Sequence, residues 1–144
     1  MKLNIQSLDI PDVKLITPLR FGDDRGWFSV TCDTDDYSEA GSTTTFIQDN
    51  HSRSELTHTL RGLHFQRPPF AQAKLVRAVA GSVMDVAVDA RKSSKTFGKW
   101  VSAKLTAEAG EQLFVPRGFL HGFLTLEPGT EVVYKVDAPY DRDS

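Results

Sequence analysis

The chain has a single cysteine, Cys32, so no disulfide can form within it. Its fold has to rest on a packed core, and a reducing compartment suits it. It also lacks a long apolar run. The opening segment from Met1 to Pro11 interrupts its apolar residues with Asn4, Gln6, Ser7 and Asp9, which fits no signal peptide, and no stretch approaches the length of a membrane span. A cytoplasmic protein with no membrane partner is expected. Excess charge of one sign is missing too. Its 17 basic and 19 acidic residues leave a net charge of −2, too balanced for a chain that grips a nucleic-acid backbone by charge. Its arginines are better read as local ligands for a small anion. Repeats, low-complexity tracts and an interdomain linker are likewise absent, as are long segments with helical periodicity.

What remains is a chain of 144 residues, the size of one domain able to bury roughly two-thirds of its unfolded surface. Residues 1–144 are read as that single domain. Short runs rich in Val, Phe, Thr and Leu, punctuated by Gly, Pro, Asp and Ser, predict an all-β fold, either a closed barrel or a double-sheet jelly roll. Lys74 to Ala80 and Ser82 to Asp89 read as a hairpin about Ala80-Gly81, pairing Val76 with Asp85 and placing Lys74 and Asp85 on one face. Val132, Tyr134 and Val136 share a face of another strand. One short helix is expected around Asp35 to Ala40, ended by Gly41.

The chemistry concentrates in Leu60-Arg61-Gly62-Leu63-His64-Phe65-Gln66 and the following Gln72-Ala73-Lys74-Leu75-Val76-Arg77. A histidine takes up a proton near pH 7, a sheltered ammonium holds negative charge that develops on an oxygen, and an arginine fork suits a phosphate. Together they suggest proton abstraction from an anionic substrate. Read singly, each has a plainer explanation: His64 as a hydrogen-bonded core histidine, Lys74 as a strand-end lysine, Tyr134 as a core tyrosine. Plain alternation also puts Arg61 and His64 on opposite faces, so a bend or bulge at Gly62 is expected.

These segments, with Asp24-Arg25-Gly26-Trp27-Phe28, Gln48-Asp49-Asn50-His51, Phe97-Gly98 before Trp100, Pro116-Arg117-Gly118-Phe119-Leu120-His121-Gly122-Phe123 and Tyr134-Lys135, occur in the order seen in one family. From about Pro11 to Tyr140 the chain resembles the dTDP-4-dehydrorhamnose 3,5-epimerases. Separately, the spacing of Gly110, Pro116, Gly118 and His121 resembles the second cupin motif, which implies a cupin-type jelly-roll β-barrel with little helix. Gln66 stands where metal-binding cupins place their second histidine, so no metal site is expected.

The resemblance implies an isomerase, independent of metal and cofactor, acting on a dTDP-linked 4-keto-6-deoxyhexose. It makes His64 the base that removes protons from C3 and C5, Lys74 the partner of the resulting oxyanion, and Tyr134 the acid on the opposite face. His121 becomes a supporting residue. Arg25, Gln48, Asn50 and Arg61 match positions that hold the diphosphate and nucleoside, and Phe28 and Tyr140 match an aromatic pair at the base. A homodimer is implied, with the segment around Arg25 and Phe28 crossing to the neighbouring subunit. Two departures accompany the match. Val30 replaces a usual glutamate, and the chain stops at Ser144, before the family's C-terminal segment with its carboxylate for the catalytic histidine. Asp85 is the candidate to orient His64 in its place. Epimerisation at C3 alone, another nucleotide-sugar, non-catalytic binding of a nucleotide-sugar and a metal-dependent small-molecule cupin are the alternatives.

Overall fold

The computed structural model describes residues 3–38 and 45–144. Among these residues, twelve strands and one short helix follow each other in sequence. They are β1 (Leu3–Ser7), β2 (Lys14–Pro18), β3 (Phe21–Asp23), β4 (Gly26–Phe28), α1 (Thr34–Ser38), β5 (Gln48–Ser54), β6 (Leu60–His64), β7 (Lys74–Ala80), β8 (Ser82–Asp89), β9 (Trp100–Thr106), β10 (Gln112–Val115), β11 (Phe119–Thr125) and β12 (Thr130–Val136). A six-stranded sheet in the order β1-β2-β10-β7-β12-β5 and a four-stranded sheet in the order β6-β11-β8-β9 hold most of them, and β3 and β4 form a separate two-stranded ribbon. All pairings are antiparallel. The expected all-β, double-sheet architecture is what forms.

Period-2 alternation drives the two sheets together. On β9, Val101, Ala103 and Leu105 are buried while Trp100, Ser102 and Lys104 are exposed, so one face of the strand is apolar and the other is wetted. Val76, Val83, Leu105, Leu113, Phe123 and Val132 meet in the main core between the sheets. Each such side chain contributes about 1.5–3 kcal/mol by leaving water. A smaller core on the outer face of the six-stranded sheet gathers Leu3, Ile16, Leu75 and Phe114 around Tyr37 of α1. The Asp33 side chain caps α1 by accepting from the backbone N–H groups of Asp35 and Asp36. The helix thus begins at Thr34, ahead of the expected Asp35; the expected end at Ala40 and Gly41 lies outside the described residues.

The expected hairpin between β7 and β8 does not form. β7 is flanked by β10 and β12, so Val76 stands opposite Leu113 and Tyr134, and β8 is flanked by β9 and β11. Gly81, at φ +72°, carries the chain around a corner from one sheet to the other. A turn read from sequence does not say whether it closes a flat hairpin or links two sheets. The shared inward face survives nonetheless. Lys74 points inward from one sheet and Asp85 from the other, and they approach across the interior close enough for Asp85 to favour the Lys74 ammonium.

Asp89, fully buried at the end of β8, anchors the 89–96 loop. Its carboxylate accepts from Nε and a terminal nitrogen of Arg91 at 3.0 and 2.9 Å, from Ser94 at 2.6 Å and from Thr96 at 2.5 Å. The Arg91 fork, aided by the two hydroxyls, holds the Asp89 carboxyl well below the usual carboxylate range.

Candidate active site

β6 and β11 bring the two histidines together. His64 stands opposite His121, and Arg61 stands opposite Phe123, so Gly62 and Leu63 on β6 face the single residue Gly122 on β11. This is the bulge that alternation required. Gly62 sits at φ +108°, and a Cβ there would lie 2.7 Å from the His121 carbonyl oxygen and 2.8 Å from the Gly122 Cα. Only glycine fits. The extra residue lets Arg61 and His64 address the same cavity despite their opposite parity.

That cavity, about 340 Å³, lies between the two sheets and is lined by Arg61, His64, Lys74, His121, Phe123 and Tyr134 among others. A second lobe of about 360 Å³ shares His64, Lys74 and Tyr134 and extends past Asn50, Gln72, Tyr140 and Arg142. His64 and His121 come from the four-stranded sheet, and Lys74 and Tyr134 from the six-stranded one. A ligand between the sheets is therefore reached from two sides.

The electrostatics follow from this placement. His64 is exposed at the mouth, yet its imidazole is partly sheltered; that desolvation, then the Lys74 ammonium, then His121 push its pKa below the usual value. Its neutral, proton-accepting form is favoured. Lys74 is 7% exposed, with Nζ 5.7 Å from the centroid of the Tyr134 ring. Burial lowers its pKa, and Asp85 opposes that shift. Asp85 itself does not reach His64. Its Oδ1 lies 2.7 Å from Nε2 of His121, both groups almost fully buried, so the carboxylate orients the second histidine. The sequence missed this pair because it depends on Phe123↔Asp85 register between β11 and β8, which brings His121 near from the next inward position.

The remaining expected residues divide into two groups. Asn50 and Tyr140 line the second lobe, and Gln48 donates to Asn50 Oδ1 at 2.8 Å. Arg61 is held in place by Ser54 Oγ and the Arg53 carbonyl, each 3.0 Å away. Arg25 and Phe28 are not brought to either lobe. They sit exposed on the β3–β4 ribbon, where Arg25 pairs only with Asp23 among the described residues, at 2.6 Å. Gln66 has a structural task that sequence reading did not identify: its amide donates to the carbonyls of Phe70 and Pro139 and accepts from the Asp141 N–H. It ties the segment bearing Tyr140 to the mouth of the site. Among the described residues no three His, Cys, Asp or Glu side chains converge as metal ligands, and no helix is long and apolar enough to cross a membrane.

Comparison with known proteins agrees with this arrangement. The family model described as dTDP-4-dehydrorhamnose 3,5-epimerase matches residues 7–144. A curated relative from Sinorhizobium fredii, the dTDP-4-dehydrorhamnose 3,5-epimerase, is 51% identical over 142 residues, covering 99% of this chain and 73% of the relative. The crystal structure of the Bacillus anthracis enzyme of that name, with TDP and PPi bound, superposes with a TM-score of 0.95 at 45% identity, over 98% of this chain and 81% of the other. The epimerase from Legionella pneumophila, solved in complex with dTDP-4-keto-L-rhamnose, gives 0.93 at 43% identity, over 99% and 75%. With its cupin-like double sheet, its paired histidines and its inward lysine and tyrosine, the chain belongs to the dTDP-4-dehydrorhamnose 3,5-epimerase family.

Proposed function

We propose that this isomerase inverts C3 and C5 of dTDP-4-keto-6-deoxy-D-glucose by proton abstraction through an enolate, in the route to dTDP-L-rhamnose or a related deoxysugar. The observation that carries the reading is the convergence of His64, Lys74 and Tyr134 on one cavity from two facing sheets. Protons on C3 and C5 are acidic because the neighbouring C4 ketone accepts the electron pair. His64, biased toward its neutral form, takes the proton, and the charge moves to the C4 oxygen. Lys74 holds that oxyanion, with His121 beside it and Asp85 fixing the His121 ring. Tyr134, reaching in from the opposite sheet, delivers a proton to the other face of the carbon. His64 then loses its proton to solvent, Tyr134 regains one, and the same steps act on the second carbon. No cofactor takes part.

Arg61 serves the diphosphate, Gln48 and Asn50 the nucleoside, and Tyr140 the base. Arg25 and Phe28 act on the neighbouring subunit's site in a homodimer, since their exposed ribbon lines neither lobe of the cavity. Residues 1–144 act as one domain in this reading. The test is incubation with the keto-sugar nucleotide in heavy water. Deuterium should enter at C3 and C5, and His64→Ala should abolish both. Entry at C3 alone would assign a C3 epimerase, and binding without exchange would assign a nucleotide-sugar binding protein.

A further inference from the structure

Three serine and asparagine side chains face inward along β5, namely Asn50, Ser52 and Ser54. Two of them are occupied: Asn50 Oδ1 accepts from Gln48, and Ser54 Oγ accepts from Arg61. Ser52 differs. Its Oγ is buried and has no hydrogen-bond partner among the described residues, although the residue lines the cavity that holds His64, Lys74 and Tyr134. On β12 its cross-strand neighbour is Val132, which offers no polar group. A buried hydroxyl without a partner is costly, so its persistence on the wall of an active site calls for a ligand. Serine also changes rotamer readily, so the oxygen can turn toward an acceptor or donor in the cavity.

We propose that Ser52 is a substrate-positioning residue whose hydroxyl hydrogen-bonds the C2 hydroxyl of the hexose ring. The assignment rests on the epimerase reading. A charged phosphate already has the Arg61 fork on the same cavity, whereas a sugar hydroxyl, donor and acceptor at once, matches a serine. The ring carries hydroxyls at C2 and C3. The C3 hydroxyl changes face when C3 inverts. The C2 hydroxyl keeps its configuration through both inversions, so one fixed protein group can hold it in substrate, enolates and product. Such an anchor keeps C3 and C5 in line with His64 and Tyr134 while the ring changes shape.

The experiment compares the wild-type protein and Ser52→Ala on the parent dTDP-sugar and on its 2-deoxy analogue, following deuterium entry and kcat/KM, with dTDP binding and thermal melting as controls. Ser52→Ala should lower kcat/KM on the parent about 3- to 30-fold, leaving dTDP affinity unchanged and the melting temperature no lower. The 2-deoxy analogue should cost the wild type a similar factor and cost Ser52→Ala almost nothing more. Losses that multiply when variant and analogue are combined would overturn the contact with C2. Weakened binding of dTDP alone by Ser52→Ala would overturn it too, since the hydroxyl would then serve the diphosphate. A wild-type protein that exchanges no proton of the parent sugar would instead overturn the epimerase reading, and this assignment with it.

Discussion

His64 stands directly opposite His121 in the register of β6 and β11, and only the second of these histidines is bonded to a carboxylate of the described chain, Asp85. The pair thus divides into a partly sheltered imidazole at the mouth, free to take a proton, and a buried one held in a set orientation. Desolvation, the Lys74 ammonium and His121 lower the pKa of the mouth-side His64.

The first prediction is the pH profile. A base must be unprotonated, so the acid limb of kcat/KM should lie below the usual histidine value of 6.5, because His64 loses its proton at lower pH than a free imidazole. The basic limb should lie below the usual lysine value of 10.5, because the oxyanion partner Lys74 must keep its proton and its pKa is also lowered. Rate measurements across pH on wild type and Lys74→Arg check both limbs; an acid limb above 6.5 would remove His64 as the base.

Lys74 and Arg61 should fail differently. Lys74→Ala is expected to lower kcat by about 10²-fold or more while leaving dTDP affinity near wild type, since an oxyanion partner acts mainly in the transition state. Arg61→Ala should weaken dTDP binding first. Titration and steady-state kinetics on the two variants separate the roles, and reversed effects would refute them.

Arg25 offers a test of the assembly. With its side chain 90% exposed and bonded only to Asp23 among the described residues, it should matter for turnover only in a dimer. Mixing inactive Arg25→Ala with inactive His64→Ala under conditions of subunit exchange should restore part of the activity through hybrid dimers. No recovery would mean that each site is built from one chain.

Gly62→Ala should damage the site through the backbone. The added Cβ meets the His121 carbonyl and the Gly122 Cα at a φ that side chains disfavour, so the bulge must shift and carry Arg61 and His64 out of alignment. Activity should fall at least 10-fold and the melting temperature should drop; a fully active variant would show that the bulge does not set their alignment.

Asp89→Ala should cost about 2–4 kcal/mol of stability, because it leaves the Arg91 fork and two hydroxyls without their shared acceptor. The folded carboxyl titrates below its unfolded value of 3.8, so its stabilisation is present in full above that pH and is lost as pH falls through the folded pKa. Denaturant melts at pH 7 and pH 3 should show a smaller gap between wild type and variant at the lower pH; an unchanged gap would remove Asp89 as the titrating anchor.

By itself the sequence determined the strand class, through period-2 alternation in runs such as Trp100–Thr106, and the chemical kit, because His64, Lys74, Tyr134 and Arg61 sit in ordered motifs that carry their own chemistry. It also required an irregularity at Gly62, since two residues of opposite parity had to face one cavity. Tertiary structure decided the rest. Whether the turn at Gly81 folds β8 back onto β7 or into a second sheet depends on which strands compete for each edge, and those competitors lie far along the chain. The same long-range register gave Asp85 to His121 rather than to His64, and left Ser52 without a partner among the described residues on a strand where its neighbours found theirs. Local residues set which way a strand's side chains alternate, but only the pairing of distant strands sets which side chains meet.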